Sequence, residues 1–296
     1  MKRKVRNNFN YLSHYTYYVP GVADMFILLV WFLIGVLLGN LATVIFTAIL
    51  GQSAALDYGM IVAYPLMFIP AMMYASHKSR TGAFTKNGLL VDSSHFGGHG
   101  FVCALLAAAA TFCMAFCSDA LTSLMPQMPQ WLEEALKSMT TGNIWLNFLM
   151  VSIFAPIFEE WLCRGMILRG LIGNNIKPVW AIVISSFIFA AIHANPWQAI
   201  PAFLLGCLFG YVYYKTGSLR LTMLMHFTNN TVALLLSRIP GLEEAESWKD
   251  VFRGSDYWIL FAGFILLLIL IIRYFSRIPK ECASGNCDSA PCLFDE

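Results

Sequence analysis

Three short motifs interrupt apolar stretches of this chain with residues that could do chemistry. They are Glu159-Glu160 followed by Arg164, Phe189 followed by His193, and His226 followed by Asn230. Ionisable side chains are costly inside a membrane, where they usually pair with one another or mark a functional site. Carboxylate, imidazole and amide groups together can activate water and stabilise a developing negative charge, so the motifs predict a hydrolytic site.

The two adjacent glutamates are expected to have different roles. On a helix, Glu160 and Arg164 lie four residues apart on one face and can form an ion pair. Glu159 points about 100° away from Glu160. We therefore predict that Glu160 and Arg164 support the site and that Glu159 is the general base, although the pattern also allows the glutamates to exchange roles. A carboxylate removed from water is a stronger base, which suits this task.

The histidines and the asparagine complete the predicted site. His193 can hold a water molecule beside Glu159. His226 and Asn230, four residues apart on one helical face, present two N–H donors, and two convergent donors are what an oxyanion hole needs. The set suits direct addition of water to a peptide carbonyl. A serine mechanism ranks lower, because the serines that precede His193 do not sit in a nucleophile-elbow sequence.

Zinc is the open alternative for this site. Glutamate and two histidines are also a ligand set of catalytic zinc, so Glu159, His193 and His226 would bind the ion in a metal-dependent mechanism. The chain lacks the H-E-x-x-H motif of many zinc peptidases. Both a zinc mechanism and a cofactor-free mechanism therefore stay open from the residues.

The elements that must position these residues are transmembrane helices. Of the 296 residues, 58% are hydrophobic and 12% are charged, against about 25% charged in soluble proteins. Apolar stretches that match a hydrocarbon core of about 30 Å predict eight spans, at 24–50, 58–76, 101–125, 143–163, 178–195, 197–214, 220–238 and 256–275. The predicted fold is an all-α polytopic membrane protein with its site inside the helix bundle. A net charge of +2 gives no support for a nucleic-acid partner.

The three motifs must also converge. His193 lies 16 residues after Lys177, near the far end of its predicted span, whereas His226 lies six residues after Arg220. At about 1.5 Å per residue, these depths differ by more than 10 Å. Because a catalytic pair works through at most one bridging water, we nevertheless predict that Glu159, His193 and His226 lie within about 10 Å of one another.

In order and spacing, the motifs resemble those of the CPBP family of intramembrane proteases, the CAAX protease and bacteriocin-processing (abortive-infection) family. The likeness extends over residues 140–240. It implies an endopeptidase in which Glu159 and His193 activate water while His226 and Asn230 hold the oxyanion. Phe189, from the second motif, is assigned a supporting position.

The resemblance also implies partners and a location. The substrate would be a membrane-associated protein or peptide, and the surroundings a lipid bilayer, in a bacterial cell membrane. Family members have been described both as metalloproteases and as glutamate-dependent proteases, so the resemblance leaves the need for zinc open. Two other functions stay open as well. One is a non-catalytic scaffold or bacteriocin-immunity protein of the same fold, and the other is a proton-coupled transporter, since intramembrane Glu and His also suit proton relays.

The distribution of Lys and Arg predicts the arrangement across the membrane. Most of the 19 fall on one side of an eight-span topology, and this side, with both termini, is predicted to be cytoplasmic. The predicted organisation is a cytoplasmic segment at 1–23, an integral membrane protease domain at 24–276 and a cytoplasmic tail at 277–296. The spacing of the tail's Cys282, Cys287 and Cys292 fits no common zinc pattern.

Overall fold

The computed structural model describes residues 11–84, 88–94, 96, 99–140, 142–241, 247–252 and 254–278. Over these residues the regular structure is helical and contains no strand, which confirms the predicted all-α class. The basic residues at positions 2–6 and the three cysteines of the tail lie outside the described residues.

Helices of 11 to 30 residues make up most of the described part of the chain. They are α1 (Val22–Leu50), α2 (Met60–Gly82), α3 (Gly100–Thr122), α4 (Gln130–Thr140), α5 (Ile144–Gly173), α6 (Pro178–Ala191), α7 (Pro196–Thr216), α8 (Leu219–Leu236) and α9 (Ser255–Ser276). Short helical turns at Tyr11–Tyr15, Gln52–Ala54, Ala55–Gly59 and Trp248–Val251 lie between or before them.

The chain is an integral membrane protein. Within the described residues, α1, α2, α3, α5 and α9 are long and apolar enough to cross a bilayer. The apolar helix α6 has 14 residues, and its length of about 21 Å falls short of a hydrocarbon core of about 30 Å. A helix occupies each of the eight predicted spans, but the number of spans that cross the bilayer stays a prediction.

Glycines bring α1 and α2 together. Gly35 and Gly39 lie four residues apart on α1, the spacing that lets two membrane helices approach closely. A Cβ atom at Gly35 would lie 1.9 Å from the carbonyl oxygen of Met67 in α2, so a side chain there is incompatible with this packing. The first half of α5, the helix that carries the glutamates, packs against α2 in turn.

The remaining helices gather around α3 and α7. Helices α7, α8 and α9 all pack on α3, and α6 packs along α7. The connection between α6 and α7 corrects the predicted span at 178–195. Helix α6 ends at Ala191, so His193 lies in the turn that follows. Pro196 begins the next helix. Asn195 has an extended backbone, because the residue before a proline disfavours the α conformation, and it caps the helix by accepting the amide N–H of Gln198 at 2.9 Å.

Helix α5 changes its winding on both sides of the glutamates. The segments Phe148–Phe154 and Trp161–Leu168 are π-helical, and the α-helical segment Ala155–Glu160 lies between them. A π-helical turn widens the helix and shifts which side chains share a face, and such turns are frequent at functional sites. The motif Glu159-Glu160 therefore stands at a break in helical register.

Candidate active site

The predicted ion pair in α5 is present and fully buried. Arg164 Nη1 lies 2.8 Å from Glu160 Oε1, and both side chains have no exposed surface. A second nitrogen of Arg164 donates to the carbonyl oxygen of Gly206 in α7 at 3.0 Å. The guanidinium carbon lies 4.5 Å from the centre of the Phe189 ring, a distance typical of a cation–π contact. Arg164 thus ties α5 to α6 and α7.

Glu160 also holds His226. His226 Nδ1 lies 3.0 Å from Glu160 Oε1, the same oxygen that accepts from Arg164. An ionised carboxylate only accepts hydrogen bonds, so His226 Nδ1 is the donor. The other ring nitrogen, Nε2, lies 3.9 Å from Glu159 Oε2. Glu160 therefore fixes the orientation of a histidine that faces the second glutamate.

Glu159 is held by a tyrosine from another helix. The hydroxyl of Tyr64, in α2, donates to Glu159 Oε1. The second oxygen, Oε2, is buried and has no hydrogen-bond partner among the described residues. The side chain of Glu159 lines the cavity described below, and of its two oxygens one is engaged by Tyr64 while the other has no hydrogen-bond partner among the described residues.

His193 reaches the site from the turn after α6. Its Nδ1 lies 2.8 Å from the carbonyl oxygen of Phe189, a group that can only accept, so Nδ1 carries a proton. In the neutral ring, Nε2 is then an acceptor. The Phe189 ring packs edge-on against both histidine rings, with centroid distances of 5.1 Å to His193 and 5.5 Å to His226. Phe189 is therefore a spacer between them, consistent with its predicted supporting position.

Asn230 is engaged by α5. Its Nδ2 donates to the carbonyl oxygen of Val151 at 2.8 Å, and its Oδ1 accepts from Asn229 Nδ2 at 3.1 Å. In the π-helical winding at this point, the N–H five residues after Val151 would bond that carbonyl. Position 156 is proline, which has no N–H, so Asn230 takes its place. An amide nitrogen carries two protons, and this bond uses one of them.

The motif residues meet at one cavity. A space of about 410 Å³ is lined by Glu159, His193, His226 and Asn230 together with residues of α3 and α7. Along α7 its wall extends from Trp197 to Phe209, a rise of about 18 Å. This length accommodates the difference in depth between the two histidines. Glu159 and His226 lie 3.9 Å apart and His193 lines the same cavity, while its distance to the other two, within about 10 Å, stays a prediction.

The described residues do not include a group of three or more His, Cys, Asp and Glu side chains arranged to hold a metal ion. Glu159, His193 and His226 line one cavity, but two of them are already engaged with Tyr64 and with Glu160. Zinc therefore remains the alternative that the sequence left open, and the chelation experiment described below tests it.

Two contributions to the site carried no signal in the sequence. Tyr64 lies 95 residues before Glu159, in an apolar helix where a tyrosine is ordinarily explained by the membrane interface. Phe209, in α7, packs at 5.4 Å from the Arg164 guanidinium and 5.9 Å from the His226 ring. Its place among other apolar residues of that helix gave no reason to single it out.

An all-α membrane protein with glutamate, histidine and asparagine around an internal cavity has the features of the intramembrane proteases. The family model of the Type II CAAX prenyl endopeptidase Rce1-like proteins matches residues 141–232. That segment contains all three motifs, so residues 141–232 are similar to the Rce1-like members of the CPBP family and the resemblance read from the motifs is confirmed. No curated protein and no solved structure matches the chain.

Proposed function

We propose that this protein is an intramembrane endopeptidase that hydrolyses a peptide bond of a membrane-associated protein or peptide with water activated by Glu159. The observation that carries the proposal is the position of Glu159 Oε2. This oxygen is buried and lacks a partner among the described residues, and it lies 3.9 Å from His226 Nε2 at the cavity wall. The 3.9 Å separation is too long for a direct hydrogen bond, so in this proposal Oε2 accepts from the attacking water and His226 Nε2 stays free to donate to the oxyanion.

The chemistry follows from these atoms. Water gives a proton to Glu159 Oε2 while its oxygen bonds to the carbonyl carbon, and the carbonyl electron pair moves to the oxygen. When the tetrahedral intermediate collapses, the C–N bond breaks and the proton on Glu159 passes to the leaving nitrogen. The products are a carboxylic acid, which keeps the second proton of the water, and an amine; the acid gives up this proton on release to solvent, and no covalent intermediate with the enzyme is needed. This is general acid–base catalysis by one carboxyl group.

The histidines have separate tasks in this scheme. His193 Nε2, an acceptor in the neutral ring, holds the second proton of the water. His226 donates from Nε2 to the oxyanion, which requires a ring protonated at both nitrogens because Nδ1 already donates to Glu160. With Glu159, Glu160 and Arg164 charged, a protonated His226 brings the net charge of the buried cluster to zero. The second amide proton of Asn230 is the other proposed oxyanion donor.

The surroundings of the cavity support an apolar, membrane-associated substrate. A second cavity, of about 140 Å³, shares Ala115, Asn229 and Ala233 with the first and is otherwise lined largely by apolar side chains, among them Phe112 and Phe116. An apolar side chain beside the scissile bond could be accommodated there. We also propose that both termini are cytoplasmic and that the location is a bacterial cell membrane, as the distribution of Lys and Arg and the family resemblance suggest.

The proposal is tested by incubating purified protein in liposomes with a pool of membrane-anchored peptides and identifying products by mass spectrometry. Wild type and Glu133→Gln are expected to cleave the same bonds, whereas Glu159→Gln is not. Glu133 is a suitable control because it is a glutamate of α4 with a largely exposed ion pair to Lys137. If cells that carry Glu159→Gln behave like cells that carry the wild-type protein and unlike cells without it, a non-catalytic scaffold or immunity protein is favoured instead.

The same assay decides between the two mechanisms. Cleavage that is unchanged after treatment with a strong chelator is the expected result. Cleavage lost on chelation and restored by added zinc would contradict the cofactor-free mechanism and would support zinc binding by Glu159, His193 and His226.

A further inference from the structure

Tyr64 connects α2 to the part of α5 that carries the glutamates. Its ring packs at 5.6 Å from the Phe68 ring, which stacks at 5.4 Å on Phe158. Phe158 directly precedes Glu159 in the chain. The aromatic contacts hold the tyrosine ring in place, so its hydroxyl meets the glutamate from a fixed direction.

The hydrogen bond from Tyr64 distinguishes the two oxygens of Glu159. Oε1 accepts from the tyrosine hydroxyl, and hydrogen bonds between a hydroxyl and a carboxylate are among the stronger ones in proteins. Oε2 is left without a partner in the described structure and faces His226. Rotation of the carboxyl group, which would exchange the two oxygens, would break the bond to Tyr64.

We propose that Tyr64 is a positioning residue for Glu159, holding Oε1 so that Oε2 is the oxygen that receives the proton of the attacking water. This inference rests on the proposed function. It assigns to the active site a helix, α2, that lies outside the segment matched by the family model, residues 141–232. The glycine contact between α1 and α2 therefore also supports the site indirectly.

A kinetic comparison of two tyrosine variants separates positioning from general stabilisation. Tyr64→Phe removes only the hydroxyl group and is expected to lower kcat by about 10-fold to 150-fold, the range for a hydrogen bond to a charged group, with KM unchanged. The control is Tyr213→Phe. Tyr213 is fully buried in α7 and donates to the carbonyl oxygen of Val91 at 2.8 Å, so this variant loses a buried hydrogen bond remote from Glu159 and should retain the wild-type kcat.

A second measurement does not depend on catalysis. A membrane-permeant carbodiimide reacts with carboxyl groups in apolar surroundings, and mass spectrometry reports the rate at which Glu159 is labelled. Labelling of Glu159 is expected to be at least several-fold faster in Tyr64→Phe than in wild type or Tyr213→Phe, because Oε1 is released to react.

The outcomes are distinct. A wild-type kcat and wild-type labelling in Tyr64→Phe would overturn the inference, and so would equal losses of kcat in the two tyrosine variants. If wild-type protein cleaves no peptide, the proposed function fails, and the labelling rates alone decide whether Tyr64 restrains Glu159.

Discussion

The buried pair of Glu160 and Arg164 allows one perturbation to separate folding from catalysis. Arg164→Met leaves the carboxylates of Glu159 and Glu160 with only the proposed imidazolium of His226 to balance them, and the side chain of Glu160 has no exposed surface. Breaking a buried ion pair by removing one partner typically costs about 3–5 kcal/mol. The carbonyl oxygen of Gly206 also loses its donor. We therefore expect a loss of stability at or above the upper end of that range.

The double variant Glu160→Met/Arg164→Met is expected to behave differently. Replacing both partners by apolar residues of similar volume is often neutral or stabilising, by up to about 4 kcal/mol, so folding should largely recover. Cleavage should not recover, because His226 Nδ1 has lost its acceptor. A hydrogen bond to a charged group is worth about 1.5–3 kcal/mol, which corresponds to a loss in kcat of about 10-fold to 150-fold.

Both quantities can be measured on the same preparations, stability by denaturant-induced unfolding in detergent and kcat by peptide cleavage in liposomes. Two results would refute the reasoning. Wild-type stability of Arg164→Met would mean that the pair is not buried, and a wild-type kcat in the double variant would mean that Glu160 does not orient His226.

Three further predictions concern single positions. His193→Ala should lower kcat by about 10²-fold or more, as expected for loss of a group that positions the reacting water, with little change in unfolding; a wild-type rate would remove His193 from the mechanism. Asn230→Ala should lower kcat by about 10²-fold to 10³-fold, because an oxyanion donor is lost. It should also lower the free energy of unfolding by about 1–3 kcal/mol, because the Val151 carbonyl loses its donor. A lower free energy of unfolding with a wild-type kcat would show that Asn230 has a structural role only. Gly35→Ala should strongly lower the thermal unfolding temperature. The control is Gly263→Ala, at a helical position where an added Cβ meets no atom within 4 Å, and it should leave this temperature unchanged. Equal unfolding temperatures of the two variants would contradict the close approach of α1 and α2.

The sequence was sufficient to predict the helical class and to single out four polar residues that line the cavity. Long apolar stretches permit few structures in a bilayer, because each backbone polar group needs a partner within the protein. Polar residues within those stretches are rare and costly, so Glu159, His193, His226 and Asn230 stood out against their neighbours. The four-residue spacing of Glu160 and Arg164 was enough to predict their ion pair.

Other features depend on contacts between helices that the sequence does not encode locally. Helix α6 ends at Ala191, and Ala194 in the following turn has a positive φ of 56°, whereas the apolar stretch was predicted to continue as a helix to 195. The bond from Asn230 to Val151 arises from π-helical winding at a proline, which hydrophobic periodicity does not reveal. The Tyr64 contact joins residues 95 positions apart, and only the packing of α2 on α5 brings them together.

The rate of a single turnover tests the central claim most directly. Wild-type, Glu159→Gln and Glu133→Gln proteins, in excess over one membrane-anchored peptide in identical liposomes, are mixed and sampled by rapid quench. We predict equal rates for wild type and Glu133→Gln, and a rate lower by about 10²-fold to 10⁴-fold for Glu159→Gln, the contribution expected of a general base. Equal single-turnover rates for all three proteins would contradict the assignment of Glu159 as the group that activates water.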